Sequence, residues 1–228
     1  MAIGIICAMN SELEVLKKEL DLIEVQQPSP WSVYMSADKE VVAVIGGVGK
    51  VSAAASLSYL LSSYNIDKII GVGVAGGIAE DLRVGDVVVC SEAIQHDMDV
   101  TAFGYELGMV PGIRLAVFEA NAELVDAAMV AADSAQLDVT VRKGRVLSGD
   151  KFIASIEGSN LRQIFSGDCV DMETAAWAHV AHLYRVPWVG IRSISDQADG
   201  KAPHSFTEFL EHAVCNMSTI IAHLLSRV

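Results

Sequence analysis

Three acidic side chains stand where chemistry could happen: Glu12 in "CAMNSELE", Glu173 in "VDMETAA" and Asp196 in "IRSISDQAD". Each follows or ends an apolar run, and a carboxylate is costly to bury unless something pairs with it. Singly, each has a plain structural account. Glu12 suits the first turn of a helix, where the macrodipole favours an anion. Glu173 suits a helix N-cap, and Asp196 an Asx-turn that closes a strand. Brought together, they would be a set of groups able to hold, give or take protons. The stretches "GVAGG" and "SGDKFI" fall at comparable points of the chain.

What must position them is an alternation of strand-like and helix-like segments. "AIGII" reads as a fully apolar strand, and "NSELEVLKKEL" as an amphipathic helix with Asn10 or Ser11 as N-cap. "WSVYMS" and "EVVAVIGG" are neighbouring strands joined by the polar "ADKE", and "KVSAAASLSYLLSSY" is a small-residue helix suited to close packing. "KIIGVGVAGG" and "GDVVVCSEAI" are buried strands, and "NAELVDAAMVAADSAQ" is a helix that starts at an Asn cap. "KGRVLSGD" is a strand, "VDMETAAWAHVAHLYR" strand into helix, and "PWVGIRSISD" a strand ending in acid. A long terminal helix, "SFTEFLEHAVCNMSTIIAHLLSRV", is capped by Ser205, and "QQPSPW" is a loop. Fully apolar strands separated by helices imply a sheet covered on both faces. The expectation is one α/β domain over residues 1–228. In open α/β sheets, ligands sit beyond the carboxyl ends of strands, so the three carboxylates are expected to converge on one edge.

Bulk properties narrow the function. Of 228 residues 52% are apolar, ample for one large core. No apolar run is long enough to span a bilayer. The first residues, "MAIGIICAMNSELEVLKKEL", lack the basic leading region of a signal peptide. A cytoplasmic protein with no membrane partner is expected. The net charge is −13 and no Lys/Arg cluster exceeds a pair, which argues against nucleic acid as a partner. Cys7, Cys90, Cys169 and Cys215 are far apart without a CxxC spacing, and read as reduced thiols rather than disulfides or a zinc site.

Taken together, the motifs are more specific than any one of them. The blocks "IGIICAMNSELE", "GGVGKVSAA", "GVAGGIAEDLRVGDVVV", "HDMDVTAFGYELGMVPG", "SGDKFI", "VDMETAA" and "RSISDQAD…SFTEFL" run in order through nearly the whole chain. This resembles the nucleoside phosphorylase/hydrolase family, and most closely the 5′-methylthioadenosine/S-adenosylhomocysteine nucleosidases. The resemblance implies a three-layer α/β sandwich, with a central twisted mixed sheet and helices on both faces. It implies hydrolysis of the bond between adenine N9 and ribose C1′, with a small nucleoside as substrate and without cofactor or metal.

By the same resemblance, Asp196 is the acid that protonates N7, and Ser195 orients it. Burial should raise the pKa of such an acid. Glu12 activates the water that attacks from the opposite face, by analogy with inverting glycosidases. Glu173 meets the ribose 2′- and 3′-hydroxyls, and Met172 lies against the sugar. Arg192 pairs with the carboxylate and water cluster, or is an ordinary strand-end ion pair. Phe152 stacks on adenine, or is plain core, and the main chain of Ile153 reads its edge. Met9, Val48, Met172 and Phe206 match the family's alkylthio slot. Val100, Phe103 and Pro111 match residues supplied by a second copy, which implies a homodimer. His96, Asp97 and Asp99 could suggest a metal, but their spacing fits loop hydrogen bonds better than a preset zinc site.

The sister enzymes use phosphate instead of water, and phosphate needs cationic donors. Where similar phosphorylases carry Arg and Ser, this chain has Gly71 and Val74, and the early loop offers the anion Glu12. Water is therefore the expected nucleophile. A phosphate-using phosphorylase and a non-catalytic nucleoside sensor are the alternatives. Two departures from the nucleosidase pattern stand out. Val74 replaces a frequent Ser that touches the water network. Asp171 replaces a frequent Glu, on the opposite side of the strand from Met172, and reads as structural.

Overall fold

Runs of Val, Ile, Ala and Gly with no polar alternation build strands that are covered on both faces. A computed structural model describes residues 2–199 and 202–228, excluding the side chains of residues 203, 206 and 207. In chain order the elements are β1 (Ala2–Cys7), α1 (Asn10–Glu19), β2 (Ile23–Glu24), β3 (Ser32–Met35), β4 (Val41–Ile45) and α2 (Lys50–Ser63). Then come β5 (Ile66–Gly77), β6 (Val87–Gln95), β7 (Val117–Glu119), α3 (Ala122–Ala135) and β8 (Val141–Ser148). Last are α4 (Glu157–Phe165), β9 (Cys169–Asp171), α5 (Thr174–Tyr184), β10 (Trp188–Asp196) and α6 (Ala202–Leu225).

Among the described residues, ten strands form one mixed sheet in the order β10-β6-β8-β9-β5-β1-β4-β3-β2, with β7 beside β6. β10 also pairs with β5, so β5, β10, β6, β8 and β9 close into a ring at one end of the sheet. Helices α1, α3 and α6 bury one apolar cluster, from Leu13 and Leu16 through Leu124 and Ala128 to Met217 and Ile221. On the other face α2 and α5 bury Ala53, Leu57, Leu60 and Trp177. The helix α4 and the loop before it cover a smaller cluster of Ile153, Leu161, Phe165 and Val170. The expected three layers with a central mixed sheet are therefore present.

Several boundaries differ from expectation. α1 begins one residue earlier, with Met9 in the N-cap position rather than Asn10 or Ser11. α6 starts at Ala202, so Ser205 lies inside the helix and does not cap it. α3 does start from an Asn cap: the Asn121 side chain accepts from the Leu124 amide at 3.0 Å. The four cysteines are free thiols, three buried in strands and Cys215 exposed on α6. No helix among the described residues is long and apolar enough to cross a membrane.

Candidate active site

The three carboxylates converge as expected, although the strands that lead to them do not all run in one direction. β1, β5 and β10 are parallel, whereas β9 is antiparallel to β5, pairing Val170 with Gly76. It is the closed ring that brings the end of β9 back against the ends of β5 and β10.

Glu12 lies in the first turn of α1, whose amides have no partner within the helix. Its Oε2 folds back to accept from the amides of Ala8 (2.9 Å) and Met9 (2.8 Å). Its Oε1 accepts from the Val74 amide on β5 at 3.1 Å. This is half of a capping box, but a buried one: Glu12 is 3% exposed, not a solvated helix-end acid. Burial raises its pKa, and the Arg192 charge and the three amides oppose that rise.

Glu173 occupies the N-cap position of α5 yet makes no capping bond to it. Its neighbours do that instead. Asp171 Oδ2 accepts from the Thr174 amide (3.1 Å), and Ser148 Oγ accepts from the Ala175 amide (2.8 Å). Glu173 is left to accept from the Gly49 amide, 2.9 Å from Oε1, at the start of α2. Burial first, then the charge of Asp171, pushes its pKa up to about 8.

Asp196 ends β10 at an irregularity. The register against β5 shifts between Ile194 and Asp196, leaving Ser195 as an extra residue. In a regular strand, neighbours point to opposite faces; here the bulge turns both Ser195 and Asp196 onto one cavity wall. Ser195 Oγ donates to Asp196 Oδ2 (2.9 Å), and the Ala198 amide donates to Oδ1 (2.8 Å), an Asx-turn. Burial, its largest influence, raises the Asp196 pKa against these two donors.

All three carboxylates line one cavity of ≈ 190 Å³. Phe152 and Ile153, from the loop after β8, form another part of its wall, with Met9, Val48 and Met172 completing an apolar portion. Phe152 is exposed, not core. Phe206, expected in the slot, lies outside the described side chains. Val100, Phe103 and Pro111 do not line the cavity of this chain; Phe103 is 83% exposed on a short 3₁₀ turn, Thr101–Phe103.

Arg192 is buried behind the wall rather than on it. Its Nε donates to Thr174 Oγ1 (2.7 Å) and pairs with Asp171 Oδ2 (2.8 Å), while the guanidinium lies 4.7 Å from the Trp177 ring centroid. The sequence reading missed this Asp171–Thr174 clamp, and the signal for it was an acid two residues before Glu173. It also missed a bracket at the start of α2. The Lys50 amide donates to Asp150 (2.7 Å), and the Lys50 ammonium bonds Asp97 (2.6 Å). Asp97 accepts from the Asp150 amide as well (2.9 Å), and Asp99 accepts from Thr101. Asp97 and Asp99 thus make loop hydrogen bonds, and no cluster of metal-binding side chains occurs among the described residues.

Comparison with known proteins places this geometry among relatives. Residues 2–226 match the family model described as Phosphorylase superfamily. The chain is 37% identical to a 5′-methylthioadenosine/S-adenosylhomocysteine nucleosidase from Neisseria meningitidis, solved with methylthio-immucillin-A. The TM-score is 0.93, covering 100% of this chain and 99% of that one. A nucleosidase of the same description from Colwellia psychrerythraea, solved with adenine, is 36% identical, with a TM-score of 0.93 over 99% and 95% of the two chains. A futalosine hydrolase of Helicobacter pylori is 28% identical, with a TM-score of 0.93 over 100% and 98%.

Proposed function

From the premise that this chain belongs to the Phosphorylase superfamily, we propose that it hydrolyses the adenine–ribose bond of 5′-methylthioadenosine and S-adenosylhomocysteine. One observation carries the reading: three buried carboxylates with different partners surround a single cavity beside an exposed aromatic ring.

The roles follow from their surroundings. Adenine leaves poorly as an anion, so a proton must reach N7 as the C1′–N9 bond breaks. Asp196 is suited to give it, because burial favours its neutral form while Ser195 and Ala198 fix its direction. The bond's electron pair goes to the purine, and C1′ becomes cationic. Glu173 holds the ribose hydroxyls by hydrogen bonds; with its pKa raised to about 8, the growing positive charge at C1′ favours its ionised form as the bond breaks. Glu12 takes a proton from water as the water oxygen bonds to C1′. The products are adenine and the free 5′-substituted ribose. General acid and base help of this kind is typically worth about 10²–10⁴-fold each.

Water rather than phosphate is supported by the charges. Among the described lining residues Lys151 is the sole cation, and it pairs with Glu157. Arg192 is held through its Nε by Asp171 and does not line the cavity. Phosphate would therefore meet carboxylates on a wall that presents no guanidinium fork. Likeness to both kinds of hydrolase makes 5′-deoxyadenosine and aminodeoxyfutalosine further substrates to assay. We further propose that a second copy supplies Val100, Phe103 and Pro111 to the alkylthio end.

The test is product analysis with 5′-methylthioadenosine. Adenine and free methylthioribose are expected, at a rate that added phosphate does not increase. Asp196→Asn should lower turnover by at least about 10²-fold without loss of folded structure by circular dichroism. A ribose 1-phosphate product would make the protein a phosphorylase, and tight nucleoside binding without turnover would make it a sensor.

A further inference from the structure

Asp171, which its sequence position suggested was merely structural, is the most heavily engaged acid next to the cavity. It accepts from the Ser148 and Thr174 hydroxyls and from the Thr174 amide, and it pairs with Arg192 Nε. Thr174 Oγ1 in turn accepts from that same Nε. The inner edge of the guanidinium is therefore held twice, and Trp177 supports its face.

The other edge is not consumed. Arg192 Nη2 is buried with no hydrogen-bond partner among the described residues. Such a donor is rare in a native interior and implies a polar group that the protein does not itself supply. Nη1 lies across Gly73 from Glu12. A Cβ at Gly73 would fall 2.1 Å from Nη1 and 2.7 Å from Glu12 Oε1, so glycine is what lets these two groups approach. The titratable groups facing Glu12 are then few: Arg192 from β10, Glu173 at the start of α5, and the Cys7 thiol at the end of β1, which burial keeps neutral.

We propose that Asp171, through Thr174, is a positioning residue for hydrolysis: it holds Arg192 by its Nε edge so that the remaining edge stands beside Glu12 without closing an ion pair on it. This rests on the nucleosidase reading and assigns a task to a residue outside its reacting set. If the clamp is cut, Arg192 is free to settle on Glu12. The base then becomes weaker, and the space beside it is lost.

The experiment measures kcat, KM and the acid limb of kcat/KM for adenine release from 5′-methylthioadenosine. Asp171→Asn should lower kcat on the order of 10²-fold, as a roughly 1 Å misplacement does, with KM changed less than about threefold. Its acid limb should move to lower pH, because Glu12 beside an unshared Arg192 holds its proton less well. Asp171→Glu, which keeps a carboxylate for Nε, should recover most of kcat and return the limb. Stripping a buried guanidinium of its counterion destabilises a fold, so Thr174→Val carries the same test with both charges kept. There, kcat should fall about tenfold.

Either of two results overturns the proposal. One is Thr174→Val and any folded Asp171→Asn within about twofold of the wild type, with the limb unmoved. The other is Asp171→Glu no better than Asp171→Asn, which would make shape rather than charge the requirement. Wild-type protein in the same assay separates the layers. No adenine from it overturns the nucleosidase reading and this proposal together; adenine from it with indifferent variants overturns this proposal alone.

Discussion

At the scale of single residues, Glu173 is held in tension. Its carboxyl is buried beside Asp171, which disfavours its charge, and it accepts one amide bond, from Gly49, which favours it. The sign of its effect on stability follows. Its pKa is raised on folding to about 8 from an ordinary carboxylate value. The folded state therefore binds its proton more tightly than the unfolded chain. That stabilisation is complete below the unfolded pKa and is lost as pH rises through about 8. Glu173→Gln keeps an oxygen for Gly49 and carries no charge. Its Tm should exceed that of the wild type at pH 8–9, with the gap shrinking towards pH 5, while turnover falls. Thermal melts of both proteins across that range check this; a gap that is largest in acid would reverse the argument. Glu12, Glu173 and Asp196 were legible in the sequence because each follows or ends an apolar run and falls within motifs that, taken together, resemble the nucleosidase family. What holds them was not. The donor to Glu173 is the amide of Gly49, and a backbone N–H leaves no mark in a sequence. Asp171 was visible as a departure, but only the folded contacts reveal that it pairs with Arg192.

At the scale of elements, the site owes its geometry to irregularities in two long strands. β10 was legible as a continuous apolar run, but its bulge at Ser195 was not, since the extra residue shows only against the register of β5. The glycines of β5 are its counterpart. A Cβ at Gly76 would lie 2.9 Å from Asp196 Oδ1 and 3.1 Å from the Ala198 Cβ. Gly76→Ala should therefore press on the acid and its turn while leaving the rest of the ring intact. We expect a loss in kcat on the order of 10²-fold, with adenine release and the melting temperature as paired readouts. A variant that melts like the wild type and turns over at the wild-type rate would mean that Asp196 has room to spare. Other elements escaped the sequence for plain reasons. α4 begins "EGSN", residues that favour turns, and becomes a helix because Leu161 and Phe165 find the cluster around Ile153. β9 has three residues, too few for periodicity to signal a strand direction, so its antiparallel pairing with β5 could not be foreseen.

At the scale of the whole molecule, two apolar side chains stand open to solvent. Val48 on the cavity wall is 51% exposed, and Phe103, which does not line the cavity, is 83% exposed. The proposed second copy would cover this apolar surface. If a second copy covers it, two chains of net charge −13 must meet, and their repulsion opposes the contact. Apolar burial must outweigh that repulsion, and a stable interface of this sort removes about 1,600 Å² from water in total. Two consequences follow. Raising the salt should tighten the assembly, since screening weakens the repulsion more than the apolar contact; a polar, charge-paired interface would loosen instead. Phe103→Ala should raise KM for 5′-methylthioadenosine by about 10-fold, the worth of roughly one buried aromatic contact. It should change KM for 5′-deoxyadenosine, which lacks the alkylthio group, much less. Light scattering across protein concentration and salt tests the first, and paired kinetics the second. A monomer with full activity on both substrates would show that one chain closes its own site. Equal losses on both would move Phe103 from the alkylthio end to the framework of the cavity.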